Sequence, residues 1–267
     1  MDTGLVVNNM CGQARSRQQI DAGWVFAQAD SSEPFRAVSQ FPTVNHLDLM
    51  HHGLIPDPRK DLNAKKVQWV GEKEWIYKTT FDFAEAKDAA AASQKAQHVL
   101  VFEGLDTHCQ ISLNGKQLLR TDNMYLQWRV DVTDQLQSGP NDLELRFEST
   151  FLVGKQLEKD QGFINKFWNG DSSRMNTRKV PCHYGWDWGP TLLTSGPWRP
   201  IYLESFVTRI ADLGIDVEVA AAAGAPEENA LATRLKKSSL VVPAAMYSFN
   251  SPCFIMTTVG VLGSGKI

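Results

Sequence analysis

Between residues 75 and 147 the chain keeps returning to one pattern, a short aromatic or β-branched run followed by a turn signal. Residues 75–83 read WIYKTTFDF, a composition that suits a pleated, half-buried surface. Residues 98–102 form a short apolar run, as in a strand buried on both faces. CQISL at 109–113 alternates and leads into Asn114-Gly115, two residues that tolerate positive φ and so close a tight hairpin. The returning strand is expected over 116–119. Gly-Pro-Asn at 139–141 gives another turn, LELRF at 143–147 alternates with period two, and a last strand over 201–207 closes the region. Many short strands and no repeating βαβ unit predict an all-β fold, a jelly-roll β-sandwich over residues 1–208.

Two segments interrupt the strands. Residues 43–53 carry Val44, Leu47, Leu49 and Met50 and end at Gly53, which predicts a short helix. Residues 84–96 are rich in Ala with Lys, Asp and Glu, and read as a helical or solvated insertion. Composition shifts again near residue 220, where Ala-rich sequence with Gly224 and Pro226 reads as a linker. Residues 209–219 are expected to begin a further β domain, and 220–267 to form linker and irregular tail. The chain thus reads as a piece of a larger protein.

With 27 Lys plus Arg against 30 Asp plus Glu, the net charge is -3, which argues against a nucleic-acid or membrane-surface partner. Twenty-six aromatic residues (8 Trp, 5 Tyr, 13 Phe) exclude wholesale disorder. Cys11, Cys109, Cys182 and Cys253 lie far apart, at neither disulfide-framework nor metal spacing. His51-His52 lacks a third ligand at useful spacing, so no metal and no cofactor are expected. The first 30 residues hold no apolar run of signal-peptide length, and the apolar stretch at 254–263 is far shorter than the roughly 20 residues that span a bilayer. The expectation is a soluble, cytoplasmic chain.

Residues 163–202 carry the chemistry. They hold eight aromatics, twice the share that the chain's 10% average would supply, interleaved with Arg174, Arg178, His183, Asp187 and Arg199. Gly and Pro recur at a density that makes an ordered but irregular loop, and such loops on a rigid sandwich are where binding sites are built. At its centre stands HYGWDWGP, residues 183–190. In a strand, Trp186 and Trp188 would face away from Asp187; in a Gly-flanked bend all three can converge. Indole faces suit the C–H face of a sugar ring, and an ionised carboxylate accepts from its hydroxyls. From the residues alone, core packing for both tryptophans, a turn-stabilising Asp187 and a structural His183 stay open. Glycoside hydrolysis needs two carboxyl groups across the scissile bond. This segment offers only Asp171 and Asp187, and no Glu. No nucleophile elbow, zinc-protease helix or P-loop motif occurs in the chain.

RKVPCHYGWDWGPTLLTSGPWRPIYLE at 178–204 resembles the N-terminal sugar-binding domain of β-mannosidases, in the glycoside hydrolase clan that also holds β-galactosidase and β-glucuronidase. FPTVNHLDLMHHGLIPDP (41–58), VQWVGEKEWIYKTTF (67–81), FEGLDTHCQISLNGK (102–116) and TDNMYLQWRVDVTDQL (121–136) agree, so the resemblance spans roughly residues 20–219. With no signal-peptide run, it looks more like the intracellular fungal B type than a secreted enzyme. The resemblance implies a galactose-binding-like jelly roll, then an immunoglobulin-like domain beginning at 209–219, then a (β/α)8 barrel. It implies retaining, exo-acting hydrolysis of terminal β-mannose in oligosaccharides by two barrel glutamates, one of them after an Asn. No Asn-Glu dipeptide occurs in these 267 residues, so no catalytic residue carries over and the partner implied is the chain's own barrel. What carries over is substrate binding by Trp186 and Asp187, with Trp188 as packing partner. A non-catalytic carbohydrate-binding module and an inactive fragment are the alternatives. Arg59, Ala64 and the pair Pro181-Cys182 depart from the family pattern, and the likeness ends near residue 219.

Overall fold

The computed structural model describes residues 16–84, 96–165, 170–207, 214–220 and 234–241, the last two as backbone alone. Nearly all of the expected insertion at 84–96 lies outside the described residues, as do Cys11, Cys253, Phe167 and Trp168. The chain divides into two units, residues 1–207 and 208–267.

The first unit contains β1 (Ser16–Gln19), β2 (Val25–Gln28), β3 (Arg36–Ala37), β4 (Trp75–Phe83), β5 (Gln97–Phe102), β6 (Cys109–Leu113), β7 (Lys116–Thr121), β8 (Trp128–Asp131), β9 (Gly139–Phe147) and β10 (Ile201–Phe206). They form a six-stranded sheet, β3-β2-β4-β9-β6-β7, and a four-stranded sheet, β1-β10-β5-β8. All pairings are antiparallel. Strand alternation sends Phe26, Trp75, Tyr77, Ile111, Leu145 and Phe147 from the first sheet into one core with Leu100, Phe102, Ile201 and Leu203 from the second. Val99, Val101, Tyr202 and Phe206 make a second buried cluster on the other face of the four-stranded sheet. The run at 98–102 is apolar on both faces for that reason.

The hairpin signal is realised as expected, with Asn114 at φ +51° and Gly115 at φ +77° between β6 and β7. The Gly-Pro-Asn turn is not. Residues 139–141 begin β9 and pair with Phe83, Asp82 and Phe81 of β4. β6 reaches only to Leu143 along β9, so Pro140 lies where β9 has a free edge and its missing N–H breaks no ladder. The turn comes just before, held by the Asn141 side chain, which accepts from the Gln137 N–H at 2.9 Å and donates to the Gln137 and Gly139 carbonyls.

Helix α1 (Asn45–His51) falls inside the expected segment and ends before Gly53 at φ +66°. α2 (Asn63–Lys66) is one turn. α3 (Thr150–Gln161) breaks the strand pattern where the sequence reading expects no helix. Its inward stripe is Thr150, Gly154 and Glu158, at helical spacing but not apolar, so hydrophobic periodicity is silent there. Both of its ends are capped. Ser149 Oγ accepts from the Leu152 N–H at 3.2 Å, and Gly162 closes the helix at φ +73°.

Two of the departures have local explanations. Arg59 folds back onto the Asp57 carboxylate at 2.9 and 3.0 Å. Pro181 occupies the first turn of a 3-10 segment, where no backbone N–H is needed. In the second unit, β11 (Gly214–Ala220) pairs antiparallel with β12 (Arg234–Val241), with a bulge between Val217 and Val219. The strand at 234–241 lies inside the stretch expected as linker and irregular tail, 220–267, most of which falls outside the described residues. RLKKSSLV alternates too weakly to announce itself.

Candidate functional site

The aromatic segment leaves the sandwich between α3 and β10. After the 3-10 turn Pro181–Tyr184, Gly185 adopts φ +99° and the chain turns into a narrow excursion. Leu192 N–H donates to the His183 carbonyl at 3.0 Å, and the Thr191 hydroxyl to the Tyr184 carbonyl at 3.2 Å. Trp186 and Gly189 exchange both backbone bonds, at 3.0 and 3.2 Å. The result is a small hairpin with Asp187 and Trp188 as its two-residue tip. A side chain at Gly185 would put Cβ 2.8 Å from Thr191 Oγ1, so glycine is required there.

Trp186 is 38% exposed and Trp188 75% exposed, and Asp187 is exposed as well. The core-packing alternative for the two tryptophans is therefore not what the fold adopts. Their ring centroids stand 6.4 Å apart at 45°. Among the described residues the Asp187 carboxylate has no hydrogen bond or ion pair. The tip offers two indole surfaces and a solvent-facing acceptor, a set that fits a polyol with one apolar face.

The stem stands on a buried polar cluster. Lys179 and Asp106 form an ion pair whose side chains are 0% and 1% exposed, with Lys179 Nζ between both carboxylate oxygens. Lys179 also donates to the Thr194 carbonyl at 2.8 Å, and Thr194 Oγ1 donates to Asp106 Oδ2 at 2.7 Å. His183 Nδ1 lies 3.3 Å from the same hydroxyl. With that proton committed to Asp106, the hydroxyl can only accept, so the network assigns the His183 proton to Nδ1. Burial alone would push the Asp106 carboxyl up. The Lys179 charge and the bonds from Lys179, Thr107 and Thr194 more than offset it and hold the group below the usual carboxylate range. Burial lowers His183 to about 4, helped by the Lys179 charge and opposed by Asp106. His46 on α1 is lowered to about 4 by burial and then by the Lys179 charge, opposed by Asp106. Both imidazoles are neutral at pH 7, so neither adds a second charge beside Lys179.

Sequence reasoning singled out the tip and His183 but missed the cluster beneath them. Asp106 and Lys179 are 73 residues apart, and no local pattern announces their pairing. Arg174 was noted only as an interleaved cation. Its guanidinium stands 5.2 Å from the Trp186 ring centroid. Arg199 stacks on Trp198 at 4.3 Å, and the Arg178 carbonyl accepts from Met124 N–H at 3.1 Å. His52 bonds the Ala37 carbonyl at 2.7 Å and packs edge-on to His51, so the His51-His52 pair is accounted for by local packing. Among the described residues no cluster of three or more His, Cys, Asp or Glu could hold a metal ion, and no helix is long and apolar enough to cross a membrane.

Two antiparallel sheets bearing this hairpin define a galactose-binding-like β-sandwich of the glycoside hydrolase kind. The chain belongs to the glycosyl hydrolase 2 galactose-binding domain-like family, whose model matches residues 24–199. It is 48% identical over 196 residues to β-mannosidase B of Thermothelomyces thermophilus, covering 73% of this chain and 22% of that one. It is 41% identical over 205 residues to β-mannosidase B of Aspergillus fumigatus, covering 75% and 24%. The crystal structure of a β-D-mannosidase from Dictyoglomus thermophilum superposes with a TM-score of 0.68 at 37% identity, covering 77% of this chain and 24% of that one. The chain thus spans about a quarter of the length of these relatives.

Proposed function

We propose that this chain is the N-terminal portion of an intracellular, exo-acting, retaining β-mannosidase and supplies part of the pocket for a terminal β-mannose. In this reading Trp186 packs on the sugar's C–H face, Asp187 accepts from its hydroxyls, and Trp188 braces Trp186. A hydroxyl of the wrong orientation would leave the carboxylate unpaired, which is how such a contact discriminates between sugars. Bond cleavage needs an acid/base and a nucleophile, and we assign neither role within these residues. The glutamates would come from a barrel domain. The observation that carries the reading is the outward hairpin tip, with Trp186, Asp187 and Trp188 all exposed above a hydrogen-bonded stem.

The test is a graft. Residues 16–207 replace the matching domain of the T. thermophilus enzyme, and hydrolysis of an aryl β-mannoside is followed. The expected result is an active graft whose kcat/KM falls at least tenfold in Trp186→Ala. The isolated chain should release no aglycone. Submillimolar mannose binding by the isolated chain, lost in Trp186→Ala, would favour the non-catalytic module instead.

A further inference from the structure

We infer that Arg174 is a positioning residue that fixes the plane of the Trp186 indole, an inference that rests on the sugar-binding reading for its functional consequence but not for its geometry. Arg174 is 6% exposed, although its neighbour Trp186 is open to solvent. Its guanidinium lies 5.2 Å from the indole centroid, within cation–π range, so one side of the ring is occupied from below.

The anchor is traceable back to the sandwich. Lys155 on α3 pairs with Asp171 at 2.7 Å. Asp171 caps the 3-10 turn Ser172–Asn176 by accepting from the Ser173 N–H at 2.9 Å, and that turn carries Arg174. α3 presses closely on the same turn, because a Cβ at Gly154 would stand 2.8 Å from the Ser173 carbonyl oxygen. At Gly170, φ is +68°, and an added Cβ would meet the Gly185 and Tyr184 carbonyls at 2.8 and 2.9 Å and Arg174 Nη1 at 3.0 Å. The guanidinium is therefore wedged against the root of the hairpin whose first outward side chain is Trp186.

A hairpin tip fixes backbone but leaves χ1 and χ2 of an exposed tryptophan free. A planar guanidinium under the ring removes that freedom before a ligand arrives, so less conformational entropy remains to be lost on binding. It also leaves one ring side for the ligand. Neither effect requires Arg174 to touch a sugar.

The 267-residue chain labelled with 5-fluorotryptophan tests this directly. The Trp186 signal is assigned by its loss in Trp186→Phe. In Arg174→Met we expect that signal to move further than any other and to narrow, while the protein still unfolds cooperatively. Arg174→Lys, which keeps a charge without the planar surface, should recover part of the displacement. A Trp186 signal unchanged in folded Arg174→Met would overturn the inference. If Arg174→Met does not fold, Arg174→Gln and Arg174→Lys are judged by the same criterion.

In the active graft, Arg174→Met should raise KM about tenfold with kcat within about twofold, the signature of lost uniform binding. An unchanged KM would refute the functional consequence. The two proposals fail separately. A displaced fluorine signal with Trp186→Ala kinetics unchanged removes the sugar contact and keeps the positioning. The converse removes the positioning alone.

Discussion

Replacing Lys179 with Met tests the account of what holds the hairpin in place. Lys179 and Asp106 have side chains 0% and 1% exposed, so removing the cation strands a carboxylate where water cannot reach it. Breaking a buried pair from one side typically costs about 3–5 kcal/mol. Asp106 keeps bonds from Thr107 and Thr194, which places the expectation at the lower end. For a domain of this size that is a fall of about 10 °C in Tm.

The pH dependence separates this mechanism from a simple packing loss. Without Lys179 the Asp106 carboxyl becomes a group whose folded pKa lies above its unfolded value. Its protonated form is then favoured in the fold, so the deficit relative to the parent narrows as pH falls through that raised pKa. Converting Asp106 to Asn as well should recover most of the loss, because an amide needs no counter-charge. Chemical denaturation of the parent, both single variants and the double variant from pH 5 to 8 measures all of this as a cycle. A Lys179→Met variant within about 1 kcal/mol of the parent, or a deficit that grows on acidification, would refute the reasoning.

The two buried imidazoles make a second pH prediction. Each is held at about 4 in the fold against 6.5 as the ordinary value, so the unfolded chain binds protons first. Their contribution is complete above pH 6.5 and is lost as pH falls from there through about 4. Its size is about 3 kcal/mol for one imidazole and less than twice that for the pair, which shares Lys179. Denaturation midpoints against pH should flatten in His183→Asn over that window. Gly170→Ala combines a left-handed φ of +68° with overlap on two carbonyls; it should cost at least about 2 kcal/mol in denaturant titration. Ser149→Ala removes the α3 cap and a bond to the Gly71 carbonyl at 2.7 Å. It should cost about 1–2 kcal/mol and speed amide exchange in the first turn of α3.

The sandwich was legible because its signals are local: alternation in β6 and β9, the Asn114-Gly115 turn, and the two-sided apolar run of β5. The hairpin tip was legible as composition, an excess of aromatics around a single carboxylate. What escaped shares one cause. The inward stripe of α3 is Thr, Gly and Glu, so no apolar periodicity marks it. The turn-forming work of Asn141 is done by its side chain rather than by its backbone, and the 139–141 segment itself is strand. Asp106, Lys179 and His46 are brought to His183 from distant parts of the chain, and a charged residue that will be buried reads in sequence like any surface charge. The same holds for Arg174, whose place beneath Trp186 depends on a chain of contacts beginning at α3.

The most direct measurement is the kcat/KM of the grafted enzyme with Asp187→Ala. If this carboxylate receives sugar hydroxyls in the transition state, its loss costs about 2–4 kcal/mol, which is about a 30- to 1000-fold fall on an aryl β-mannoside. A value within about threefold of the parent graft, in a variant that folds normally, would remove the hairpin tip from the substrate pocket.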